Sequence, residues 1–88
     1  MNAAGELAFE AHRWMERGQW QRARDALRRG LEQAPDDLDL LYARARLDFL
    51  CESGSALDSA EEVLALAPEH AGAGLLRARN LAEQGRRA

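Results

Sequence analysis

The chain has 88 residues and a net charge of −3, with twelve cationic side chains, all arginine, against fifteen acids. Its length limits it to one small domain, residues 1–88, and the acidic balance excludes the overall basic character usual in nucleic-acid-binding domains. Val63 is the only valine, and isoleucine and threonine are missing altogether, so propensity excludes a sheet and points to an all-α fold rich in Ala and Leu.

Charge is spread unevenly. Residues 1–35 hold six Arg against five acids, residues 36–69 two against nine, and residues 70–88 four against one, a pattern that reads as solvated helix faces pairing between neighbouring units. Cys51 is the single cysteine, so no internal disulfide is possible and nothing signals an oxidising compartment. Glu6 and Glu10 stand where a signal peptide would carry a basic start and an apolar run. No apolar stretch approaches membrane-spanning length, so a cytoplasmic protein with no membrane partner is expected.

In chain order, Leu7, Ala11, Trp14 and Met15 fall on one helix face, which Gly18 ends. A second helix opens near Trp20 and carries Ala23, Leu27, Gly30, Leu31 and Ala34 to Pro35, with Gly30 placed to admit a close neighbour. Asp36 or Asp37 can cap the third helix, whose Leu38, Leu41, Ala45 and Phe49 are joined by Leu40, Tyr42, Leu47 and Leu50 to make it apolar on more than one side. Ser53, Gly54 and Ser55 break the run, either serine being a candidate cap. Ala56, Ala60, Val63, Leu64 and Ala67 stripe a fourth helix up to Pro68. A fifth carries Leu75, Ala78, Leu81 and Ala82, and Gly85 is placed for a left-handed C-cap. Five helices are predicted, near residues 5–17, 20–33, 37–51, 55–67 and 71–84, each antiparallel to the next.

The chain repeats itself. Ala23, Asp25, Leu31, Ala34, Pro35 and Asp36 return 33 residues later as Ala56, Asp58, Leu64, Ala67, Pro68 and Glu69, and Arg44, Ala45 and Arg46 return as Arg77, Ala78 and Arg79. With Leu7, Ala11, Trp14, Gly18, Trp20, Ala23, Leu27, Gly30 and Pro35 in one unit, and Leu41, Ala45, Ala56, Ala60, Val63 and Pro68 in the next, the sequence resembles the tetratricopeptide repeat family. Glu10, Gly30 and Asp48 depart from its usual residues. The resemblance implies a right-handed α-solenoid of antiparallel helix-turn-helix repeats: repeat 1 over about 4–37, repeat 2 over about 38–70, and a terminal helix over about 71–85.

That resemblance also implies a function. In the family the first helix of each pair lines a concave groove, which here would show Ala8, His12 and Met15, then Tyr42, Arg46 and Phe49, then Leu75 and Arg79. The lysines, asparagines and arginine with which some members clamp an acidic chaperone tail are replaced by Ala8, His12, Ala43, Gly72 and Leu76. What remains is an Arg and aromatic groove suited to carboxylates and apolar contacts. A non-catalytic adaptor is therefore expected, binding a protein or peptide partner, an acidic one among the candidates, through the groove residues His12, Met15, Tyr42, Arg46, Phe49, Leu75 and Arg79, or through Leu76 and Leu81 on the end helix. A homodimeric scaffold formed through the end helices is the alternative.

Other chemistry finds little support. His12, His70 and Cys51 do not form a metal-ligand pattern, adjacent pairs such as Glu61 and Glu62 point apart on a helix, and neither a phosphate loop nor a catalytic triad is present. No metal, cofactor or catalytic residue is expected. Trp14 and Trp20 are expected to pack about the first turn, and Cys51 to be buried. Arg28 and Arg29 match Glu61 and Glu62 on neighbouring units. Glu10 and Arg44 take usually apolar places, so a partly buried Glu10–Arg44 pair, joined by Asp48, is expected.

Overall fold

A computed structural model describes residues 3–52 and 54–87 of the chain. Five helices follow one another: α1 (Ala3–Glu16), α2 (Trp20–Gln33), α3 (Leu38–Leu50), α4 (Ala56–Leu66) and α5 (Ala71–Arg87). Among the described residues there is no strand, and no helix is long and apolar enough to cross a membrane.

Local chemistry sets the boundaries. Gly18 adopts φ +71°, the left-handed conformation that Gly tolerates best, and α1 closes there with bonds from Gly18 N–H to Met15 O (3.1 Å) and from Gln19 N–H to Trp14 O (2.9 Å). At the start of α3 the Asp37 carboxylate accepts from Leu40 N–H at 3.1 Å, while Ser55 precedes α4 without such a cap bond. Ser53 lies outside the described residues. The C-terminal end of α3 brings Glu52 to φ 53°, a conformation that costs a side-chain-bearing residue about 1–2 kcal/mol. The Gly85 expectation is corrected: α5 runs through that residue to Arg87, and no left-handed stop forms there.

The 33-residue repeat has a geometric counterpart. Ala34 sits at φ −140°, ψ 77° and Ala67 at φ −142°, ψ 83°, outside the helical region that a following proline disfavours. Each turn then closes identically, Asp37 N–H to Ala34 O (3.2 Å) and His70 N–H to Ala67 O (3.0 Å).

Each helix packs on its successor, and α3 also packs on α1 and α5, so α3 touches all four others. A first core joins α1, α2 and α3 through Ala8, Ala11, Met15, Ala26, Leu27, Leu40 and Leu47. Smaller cores lie farther along: Leu41 with Val63 and Ala73, and Ala45 with Ala60 and Leu76. Gly30 admits α3 as expected, since a Cβ there would lie 2.7 Å from Leu40 Cδ2.

Several side chains are placed differently from the sequence reading. On α5 the buried residues are Ala73 and Leu76, so Leu76 is not the end-face residue expected of it, while Leu75, Ala78, Leu81 and Ala82 face outward. Trp14 packs against the first core under the guanidinium groups of Arg17 and Arg22, but Trp20 is exposed. Cys51 is exposed at the end of α3.

The ion pairs also differ. Arg44 meets Glu62 rather than Glu10, at 2.5 Å, and Glu10 meets Arg29 at 3.6 Å. Arg28 stays within α2, bonded to Asp25 and Glu32, because α2 and α4 do not touch. Asp48 is buried (3 % exposed) and joins three helices: it accepts from Ser59 Oγ at 2.7 Å and Ser55 Oγ at 3.3 Å, and pairs with Arg24 at 3.6 Å. Those partners satisfy a carboxylate that would otherwise be costly to bury.

Candidate functional site

Because α1 packs on α3 and α3 on α5, one side chain from each can meet on a shared face. His12 of α1 and Arg46 of α3 do so, with the guanidinium donating to His12 Nδ1 at 2.9 Å. That donation holds the imidazole in the tautomer with its proton on Nε2. Burial, and secondarily the charge of Arg46, push the His12 pKa below the ordinary 6.5, against the opposing pull of Glu16 and Asp39.

Tyr42 lies beside this pair, its ring centroid 6.2 Å from that of His12 and 4.9 Å from that of His70. His70 also caps α5, its Nδ1 accepting from Ala73 N–H at 3.1 Å. The Tyr42 ring presses so closely on α5 that a Cβ at Gly72 would fall 2.8 Å from it. A half-buried line of His12, Arg46, Tyr42 and His70 thus runs from α1 across α3 to the start of α5.

Arg46 has no carboxylate within ion-pair distance among the described residues, unlike Arg24, Arg28, Arg29, Arg44 and Arg86. No protein-family model matches this chain, and neither a curated protein nor a solved structure is significantly similar to it.

Of the sequence-predicted site residues, the structure brings together His12, Tyr42 and Arg46. Phe49 packs at the third core and lines a cavity of about 380 Å³ with Leu50, Glu52, Asn80 and Glu83. Arg79 is exposed and forms no ion pair among the described residues. Leu75 is exposed and joins none of the three cores. Met15 and Leu76 are corrections: both are buried, Met15 in the first core and Leu76 against Ala45 and Ala60, so neither offers surface to a partner. Leu81 is exposed, as expected.

Sequence reasoning missed His70 as part of this face, since a histidine ahead of a helix is a weak capping signal. Its place two residues after Pro68, where Asp37 stands after Pro35, was the available clue. Among the described residues no group of three or more His, Cys, Asp or Glu is arranged to hold a metal ion.

Proposed function

We propose that this chain is a non-catalytic protein-interaction module of the tetratricopeptide-repeat type, an α-solenoid adaptor whose α1, α3 and α5 helices form a groove for an acidic segment of a partner protein. The observation that carries the reading is Arg46: a half-buried guanidinium bonded to an imidazole and, among the described residues, to no carboxylate. Arg forks match carboxylates, and the rings of His12 and Tyr42 in the same group supply contact area of the kind that anchors peptides. Arg79 on α5 extends the same cationic character. A cytoplasmic setting belongs to the same reading, supported by the lone Cys51.

A panel of immobilised acidic, neutral and basic peptides tests this. Retention of Asp- and Glu-rich peptides is expected, weakened roughly tenfold or more by Arg46→Glu. Retention indifferent to that substitution sinks the groove. A self-associating scaffold is the second reading, favoured by the exposed Leu75 and Leu81 on α5. Sedimentation velocity across micromolar concentrations separates the two, a monomer supporting the adaptor.

A further inference from the structure

Two helices of this chain carry an Arg-Ala step at the same place in the 33-residue register, Arg44 and Ala45 on α3 and Arg77 and Ala78 on α5, and only the first is covered. On α3, Leu41 and Ala45 are buried beneath Val63 and Ala60 of α4, Arg44 closes the edge of the contact on Glu62, and Asp48 takes the Ser59 hydroxyl. The residues 33 places later on α5 are Gly74, Arg77, Ala78 and Leu81. The opposite sides agree on this register. Leu40, Ala43 and Leu47 turn α3 toward the first core, and their counterparts Ala73, Leu76 and Asn80 are the buried and half-buried positions of α5.

The α5 copy of the α4-covered surface stands open. Ala78 and Leu81 are exposed, a Cβ on Gly74 would meet nothing within 4 Å, and Arg77 forms no ion pair or side-chain hydrogen bond among the described residues.

We propose that this face of α5 is a docking site for an acidic amphipathic helix supplied by another protein, seated as α4 is seated on α3. The internal precedent states what the helix must carry. It has a small residue against Ala78, as Ala60 lies against Ala45, and a branched aliphatic over Gly74, as Val63 lies over Leu41. Where α4 has Ser59 it has an apolar residue, because Leu81 replaces Asp48. At the place of Glu62 it has an acid for Arg77. Charge agrees: α4 offers Arg44 the Glu62 carboxylate and carries no cation, whereas Arg77, at the matching place on α5, has no acid beside it among the described residues. A second copy presenting its own α5 would set arginine against arginine, so the charge pattern selects a foreign, acidic helix.

The probe is a synthetic peptide of residues 55–69 with Ser59→Leu, acetylated and fluorescently labelled, titrated into the intact protein and followed by anisotropy. Saturable one-to-one binding is expected. Arg77→Glu should weaken it about five- to tenfold, and a peptide carrying Glu62→Arg should bind Arg77→Glu better than wild type. Ala78→Glu should abolish binding of this peptide, while a scrambled peptide of the same composition should not bind in the same concentration range, which separates this site from an α1–α3 groove that reads negative charge alone. Arg77 and Ala78 are exposed, and circular dichroism verifies that both variants keep their helices. Three results overturn the proposal. The peptide fails to bind; or it binds equally well to Arg77→Glu and Ala78→Glu, having displaced α4 from α3; or the protein alone dimerises and Ala78→Glu makes it monomeric, so that the face belongs to a second copy.

Discussion

Gly30 and Gly74 both lie inside helices, where replacing Gly by Ala ordinarily gains up to about 1 kcal/mol, yet their surroundings give opposite predictions. Gly74→Ala puts a methyl into open space and is expected to stabilise by about 0.5–1 kcal/mol. Gly30→Ala drives a methyl onto the fully buried Leu40, and overpacking of this kind costs about 1–3 kcal/mol. A net loss near 1 kcal/mol should lower the melting temperature of so small a protein by about 4–8 °C. Thermal melts of the two variants check both signs, and equal shifts would show that Leu40 yields without cost. His12 supplies a pH dependence. Its pKa is depressed below 6.5 in the fold, so between the folded and unfolded values the unfolded chain binds more protons. The stability contributed by His12 is therefore complete above 6.5 and is lost as pH falls from there through the folded pKa. Denaturation midpoints measured from pH 7.5 to 5 should fall more steeply for the wild type than for His12→Gln.

At the scale of the element, Asp48 is the tie between pairs, holding α4 through Ser59 and α2 through Arg24 from its place on α3. Asp48→Ala would leave the Ser59 hydroxyl, only 6 % exposed as a residue, without its acceptor. A loss of about 1–3 kcal/mol is expected in urea denaturation, and a loss under about half of the lower figure would demote the tie. Arg44→Ala is expected to behave differently. Its partner Glu62 is half exposed, pairs of this kind contribute about 0–1 kcal/mol, and among the described residues the buried Arg44 Nε has no hydrogen-bond partner to lose. The same denaturation experiment should place that variant within about 1 kcal/mol of wild type.

Across the whole molecule, contacts run along the chain without closing: α1 does not meet α4 or α5, and α2 meets neither α4 nor α5. Only α3 is packed on every other helix. Local opening follows the density of buried contacts, so amide hydrogen exchange should be slowest in α3 and fastest in the second half of α5, where residues 84–86 are all exposed. Equal protection of α3 and that half of α5 would mean that the chain opens only as one unit.

Helix existence, the turns and the 33-residue register were legible in the sequence, because their causes act within a few residues. Gly18 permits a left-handed φ, Pro35 and Pro68 keep the alanines before them out of the helical region, and Asp37 reaches a backbone N–H three residues on. Which stripe of α5 turns inward was not legible, since Leu75, Ala78, Leu81 and Ala82 have helical spacing as good as that of Ala73 and Leu76. Packing decided it: Ala73 and Leu76 meet Leu41, Val63, Ala45 and Ala60, and Gly72 alone leaves room for the Tyr42 ring. The arginine partners were equally undetermined. A long, flexible side chain reaches acids on several helices, and only the tertiary arrangement sets Arg44 beside Glu62, Arg29 beside Glu10, and Arg46 against an imidazole instead of a carboxylate.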